Sequence, residues 1–134
     1  MMTLADLAYR LNDHESDDGT TFDAMVMEDG VLEVTCTGFE EFPMHLTKTE
    51  TQLISVTPLF SKDEVKADSL GELHESFLRL SPALPLSSVG LQGNTFILFG
   101  AMALSTRFEV VAHELEIQAE NTIDVLESVE HLLN

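Results

Sequence analysis

The spacing of hydrophobic residues switches between helical and strand periods along the chain. Leu4, Leu7, Ala8 and Leu11 recur at helical spacing behind Thr3-Leu4-Ala5-Asp6, a shortened capping box, and predict a helix to about Asn12. A polar loop from Asp13 to Gly19 follows. Phe22 to Glu28 and Val31 to Thr37 flank Asp29-Gly30, a pair suited to a type I′ turn, and predict a hairpin. Its first strand places Phe22, Ala24 and Val26 on one face and Met25 and Met27 on the other, and its few polar residues predict that both faces are partly covered. Phe42, Met44 and Leu46 then alternate with Pro43, His45 and Thr47, as on a half-buried strand. Leu53 to Phe60 supplies a fourth run, with Pro58 marking its end.

Ser69-Leu70-Gly71-Glu72 reads as a capping box before a Leu70, Leu73, Phe77 and Leu80 stripe, and Ser81-Pro82-Ala83-Leu84-Pro85 terminates that second helix. Phe96 to Leu104 has no polar side chain, which predicts a strand covered on both faces in the middle of a sheet. Gln92-Gly93-Asn94 pairs it with Leu86 to Leu91, since Gly and Asn tolerate positive φ. Thr106 with Glu109 reads as a third capping box, opening the longest helix. The expected fold is therefore one α+β domain over residues 1–134, an antiparallel sheet of about five to six strands with three helices in the order α-ββββ-α-ββ-α. The long C-terminal helix should pack on the sheet.

At 100° per residue that helix has three faces. Phe108, Ala112, Leu115, Ala119, Thr122, Leu126, Val129 and Leu133 form the expected core stripe. Glu109, His113, Glu116, Glu120, Asp124, Glu127 and His131 form an acidic ridge whose like charges sit three and four residues apart. Val110, Ile117, Val125 and Leu132 make a third face that packing on one sheet cannot bury, so they are the predicted partner-binding residues, covered by another chain or by another part of this one.

Charge narrows the function classes. The 24 Asp and Glu against 6 Lys and Arg give a formal net charge of −18, a field that repels phosphate backbones and anionic headgroups. Nucleic-acid binding and direct membrane insertion are not expected. The acidity either attracts a basic partner or serves solubility alone. The single Cys36 lies mid-strand and cannot form an internal disulfide, which suggests a packed thiol in a reducing compartment. Met1 to Asp6 lacks the basic and apolar regions of a signal peptide, so the expected location is cytoplasmic.

No motif carries chemistry. The carboxylates of Asp13 to Asp18 lack EF-hand spacing. Glu109 with His113 and Glu127 with His131 are spaced for one helix face, but other segments supply no matching ligand pair. His14-Glu15, His74-Glu75 and His113-Glu114 are not the zinc-protease pattern, and Gly90-Leu91-Gln92-Gly93 lacks the phosphate-loop lysine. A nucleophilic pairing of Cys36 with a distant His has nothing in the sequence to single it out. No catalytic residue, cofactor or metal is expected, and the protein is read as a non-enzyme.

Leu84-Pro85-Leu86-Ser87, the Phe99-Gly100-Ala101 step and Glu114-Leu115-Glu116-Ile117-Gln118-Ala119-Glu120-Asn121 resemble the YjfI-like family of bacterial proteins. That resemblance implies a bacterial cytoplasmic protein, often encoded near a PspA-like membrane-remodelling protein, which becomes a suggested partner. The family brings no established activity; the acidity and Cys36 are not features of it. The order of elements is also similar to the type III secretion chaperone fold, which implies a small, acidic, often dimeric binder of extended protein segments. Fold analogy of this kind is associational. The expected function is thus a protein-binding or chaperone-like regulator with a homodimer among its assemblies. Its alternatives are a small-ligand sensor and an enzyme with a dispersed site.

Overall fold

In the computed structural model, which describes residues 2–134, the chain forms three helices and six strands. The helices are α1 (Leu4–Asn12), α2 (Leu70–Leu80) and α3 (Phe108–Val129). The strands are β1 (Phe22–Val26), β2 (Leu32–Cys36), β3 (Met44–Lys48), β4 (Gln52–Ser61), β5 (Ser88–Gln92) and β6 (Thr95–Ala103). All pairings are antiparallel, in the sheet order β1-β2-β3-β4-β6-β5. This is the α+β fold and the element order that the hydrophobic periods predict.

The strand period of two divides the sheet into unlike faces. Leu32, Val34, Met44, Leu46, Leu53, Phe96, Leu98 and Met102 point toward the helices and are buried. Burial of each such large side chain is worth about 1.5–3 kcal/mol. The opposite face carries no helix among the described residues. The expectation that β6 is covered on both sides therefore holds only for its first half: Phe96, Ile97 and Leu98 are buried, whereas Ala101 and Ala103 are exposed on the open face. Strand β1 departs further, since Met25, Val26 and Met27 are 60%, 42% and 39% exposed. It is an edge strand with one covered face.

The core falls into two clusters. One joins α1, β1 to β3 and the first half of α3; the other joins α2, the Phe60-Phe96 end of the sheet and the second half of α3. Between them lies a buried polar seam of Ser55, Thr57, Gln118, Asn121 and Thr122. Gln118 Nε2 donates to Thr57 Oγ1 at 3.0 Å, and the Thr122 hydroxyl donates to Gln118 O at 2.9 Å. Ser55 Oγ has no hydrogen-bond partner among the described residues.

Local rules succeed and fail for identifiable reasons. The Thr3 box forms as expected: Asp6 N–H donates to Thr3 Oγ1 and Thr3 N–H to Asp6 Oδ2. The Ser69 box does not, because Ser69 has helix-like ψ and makes no side-chain cap. Nor does the Thr106 box. The Thr106 hydroxyl donates to Ala103 O at 2.6 Å, closing the turn out of β6, and α3 begins at Phe108 with Arg107 as N-cap. Pro58 does not end β4; the strand runs on through a register shift between Pro58 and Phe60 that tolerates the missing donor. Asp29-Gly30 is not a two-residue turn either. Met27 N–H donates to Val31 O and Gly30 N–H to Met27 O, and Gly30 takes φ 84°, the left-handed position of a three-residue loop.

Each sheet edge carries one side-chain clamp. Along β1, the Asn12 side chain clamps the free backbone of Ala24, donating from Nδ2 to Ala24 O at 2.9 Å and accepting from Ala24 N–H at 2.8 Å. Along β5, the Ser81 hydroxyl accepts from Val89 N–H at 3.3 Å, and Leu91 has no such clamp among the described residues.

Candidate functional site

Helix α3 buries a wider arc than one sheet contact requires. Val111, Gln118, Asn121 and Val125 are buried beside the expected stripe, at 1%, 2%, 4% and 0% exposure. Val111 packs in the first core cluster, Val125 in the second, and Gln118 reaches Thr57 on β4. Asn121 is covered by the segment between α2 and β5, which runs over α3 as a strap: Asn121 Nδ2 donates to Pro85 O at 2.8 Å and to Ser87 Oγ at 3.2 Å. Leu86 within the strap has φ 63°, the sole positive φ outside glycine among the described residues, and its carbonyl lies 3.3 Å from where a Cβ on Gly100 would sit. Such a strained conformation persists only where its surroundings hold it. The three stretches that carry the family resemblance thus converge here, on Leu86, Gly100, Gln118 and Asn121.

The predicted partner-binding face is divided by this packing. Val125 and Leu132 belong to the second core cluster and are covered by this chain itself. Leu132 also lies off the helix, in a 3₁₀ turn over Glu130–Leu132, because α3 ends at Val129 and the chain turns to bridge Val65 with Leu133. Val110 is 37% exposed and Ile117 half-buried. The structure does not join the four residues into one surface.

Ile117 instead borders a 350 Å³ depression with Asp17, Asp18, His113, Glu116 and Glu120. Thr20 Oγ1 lies 2.9 Å from Glu116 Oε1 and 3.0 Å from Asp18 Oδ1, so its single O–H is shared between the two carboxyl groups. Hydrogen bonds from Ser16, then from Glu116 and Thr20, hold Asp18 at about 2, below its ordinary 3.8. Partial burial pushes Glu116 upward. The two act oppositely on stability. Asp18's contribution is complete above 3.8 and is lost as pH falls toward about 2; Glu116's buried charge is a cost that protonation relieves. Urea denaturation of the Asp18→Asn variant is expected to show a smaller loss of midpoint between about pH 4 and pH 2 than the parent shows. Among the described residues no group of three or more His, Cys, Asp or Glu is placed to hold a metal ion.

Cys36 is buried, and its thiol is pushed up to about 11 by burial and by the nearby carboxylates, Glu116 first. About a hundredfold less thiolate than at the ordinary 9.0 is present near neutrality. Labelling of the native protein with a thiol reagent is expected to run at least tenfold slower than labelling of the unfolded chain.

Two concavities remain. A wide cleft of about 1080 Å³ lies among α1, the β3–β4 turn and the start of α3. Arg10 and Arg107 line it, Arg10 stacked 4.5 Å from the centroid of the Phe108 ring, and neither is ion-paired among the described residues. The second is a groove of about 390 Å³ between α2 and β5, walled by His74, Phe77, Leu78, Val89, Leu91 and Phe96. Leu78 and Leu91 on its rim are 76% and 46% exposed, and its floor meets the unclamped edge of β5 at Leu91. Sequence reasoning missed this groove. Its one signal was Leu78, which falls about 120° from the centre of the Leu70, Leu73, Phe77 and Leu80 stripe.

An antiparallel sheet with its helices on one face is shared with several solved structures. The fold is similar to that of YbjN from E. coli, a candidate transcription regulator, at 13% identity and a TM-score of 0.69, over 97% of this chain and 93% of that one. It is also similar to a chain of the heterodimeric ExoU-SpcU complex from the type III secretion system of Pseudomonas aeruginosa, at 10% identity and 0.57, over 96% and 97%. A chain of the ExsC-ExsE complex matches at 13% and 0.51, over 99% and 97%. At such identities the likeness shows the fold alone. No curated protein matches the sequence. The family is shown by sequence: the chain belongs to the family described as "Uncharacterized protein conserved in bacteria (DUF2170)", whose model matches residues 1–133.

Proposed function

We propose that this chain is a non-enzymatic, chaperone-like binding domain that takes up an extended segment of a partner protein. The observation that carries the reading is the α2–β5 groove, where exposed Leu78 and Leu91 flank a strand edge lacking a clamp at Leu91. An added strand gains backbone hydrogen bonds from the edge and specificity from side chains in the groove. The net charge of −18 favours a basic partner and speeds encounter with it. Two of the structural neighbours are themselves protein complexes, which supports the reading without naming this chain's partner. Within the same reading stand the narrower YjfI-like kinship, the cytoplasmic location, the PspA-like partner and a single functional unit over residues 1–134. Val110 and Ile117 on α3, beside the acidic depression, are proposed as a second contact.

Leu78→Asp and Leu91→Asp are the test. Both positions are solvent-facing, so the far-UV spectrum is expected to stay unchanged while binding of a purified PspA-like protein, measured by titration calorimetry, falls at least tenfold. Ile117→Asp is expected to weaken it less. Equal binding by all three folded variants refutes the groove, and no binding by the parent refutes the PspA-like partner.

A second reading, small-ligand sensing, is favoured by the two unpaired guanidiniums in the 1080 Å³ cleft. It predicts that small carboxylates raise the melting temperature of the parent and not of Arg10→Gln.

A further inference from the structure

The helix-free face of the sheet is unlike the rest of the molecule. Across β4 and β6 it presents Ile54, Val56, Pro58, Ile97, Phe99 and Ala101, set opposite one another in pairs: Ile54 with Ala101, Val56 with Phe99, Pro58 with Ile97. Ile97 is 8% exposed and Ile54, Val56 and Phe99 are half-buried, so these side chains form one continuous apolar layer without a helix above it. Gly90 extends the layer onto β5. A Cβ there would stand 3.1 Å from Phe99 Cε1, and its absence lets the ring spread over the neighbouring strand.

The outward positions of β3, β4, β6 and β5 include no Asp or Glu, in a chain with 24 of them. The nearest outward strand carboxylate is Glu33 on neighbouring β2, opposite His45, and Asp23 lies beyond it on β1. The outward side of β3, β4, β6 and β5 is thus free of strand carboxylates, with Glu33 at its border.

We propose that this face is the homodimer interface, two copies packing open sheet against open sheet. The charge distribution selects the occupant. Two chains of −18 repel wherever their carboxylates meet, and this is the broad face on which they approach without confronting them. A basic partner finds no complementary charge here, whereas a second copy finds the same flat, uncharged, apolar surface, as an isologous contact requires. Four strands at about 4.8 Å, averaging about seven residues at about 3.4 Å each, give a plane of about 460 Å². An ordinary interface buries roughly 800 Å² per partner, so this plane is of the size of its core. Sheets stacked in this way pack about 10 Å apart, with side chains interdigitating. The proposal goes beyond the groove reading and does not depend on it, because groove and open face lie on different sides of the molecule.

Sedimentation equilibrium of the full chain tests it, with Ala101→Glu, Val56→Glu and Leu78→Asp variants beside the parent. The parent is expected at twice 14.8 kDa, with the dimer tightening as added NaCl screens the net charge. Ala101→Glu introduces a carboxylate at an exposed position, so it should keep the parent's circular dichroism and melting while weakening the dimer at least tenfold. Val56→Glu, closer to the centre, should weaken it further. Leu78→Asp should leave the mass unchanged while losing the partner segment, which separates failure of this proposal from failure of the groove. A parent that stays at the one-chain mass up to about 100 µM overturns the proposal. So does a dimer that survives Ala101→Glu, or one that Leu78→Asp dissociates.

Discussion

Leu115→Ala is expected to remove about 2–5 kcal/mol of folding stability, read as a lower urea midpoint with an unchanged slope. Leu115 is fully buried in the first core cluster, midway along α3, where it meets residues from α1 and from the inner face of the sheet. Truncation there loses the transfer energy of the side chain and leaves a cavity that helix and sheet cannot both collapse to fill. The comparison that gives the number meaning is Leu78→Ala, whose side chain is 76% exposed and which should change stability by less than about 0.5 kcal/mol. Equal losses at the two positions would contradict the placement of α3 on the sheet.

Asn121→Ala is expected to cost about 1–3 kcal/mol, because it strips the donor from Pro85 O and from Ser87 Oγ in a largely buried setting. The loss should be local as well as global. With Asn121 gone, the strap loses the contact that holds it against α3 while Leu86 keeps its unfavourable φ, so backbone amides around Ser87 should exchange faster than those of β6. A double-mutant cycle with Ser87→Ala isolates the Asn121–Ser87 bond from the Asn121–Pro85 bond. Additive losses would show that the Ser87 contact is incidental.

The strap also explains where sequence reasoning stopped. Periodicity located the six strands and three helices because each has a face that must be apolar, and the Phe96 to Leu104 run marked a strand with neighbours on both sides. The arc of α3 was not legible, since a helical wheel assumes one covering surface. Nothing in Leu84-Pro85-Leu86-Ser87 announces that it crosses a helix at Asn121, 34 residues beyond Ser87. Val125, expected to be covered by another chain or by another part of this one, is covered by this chain, and polar Gln118 and Asn121 are buried beside it. The capping boxes at Ser69 and Thr106 failed for a different reason: residue types compatible with a cap found another geometry, as the Thr106 hydroxyl did on Ala103 O. The open face of the sheet was hidden because half-exposed Ile54, Val56 and Phe99 read as ordinary strand residues. The groove was hidden because its walls come from α2, β5 and β6.

Side-chain clamps on both edges of the sheet bear on how it meets another strand. Asn12 occupies the β1 backbone at Ala24, and Ser81 occupies the β5 backbone at Val89. Each clamp interrupts the row of free backbone groups that an added strand would need, which works against edge-to-edge growth of the sheet. Loss of Asn12 would lengthen the pairing surface that β1 offers.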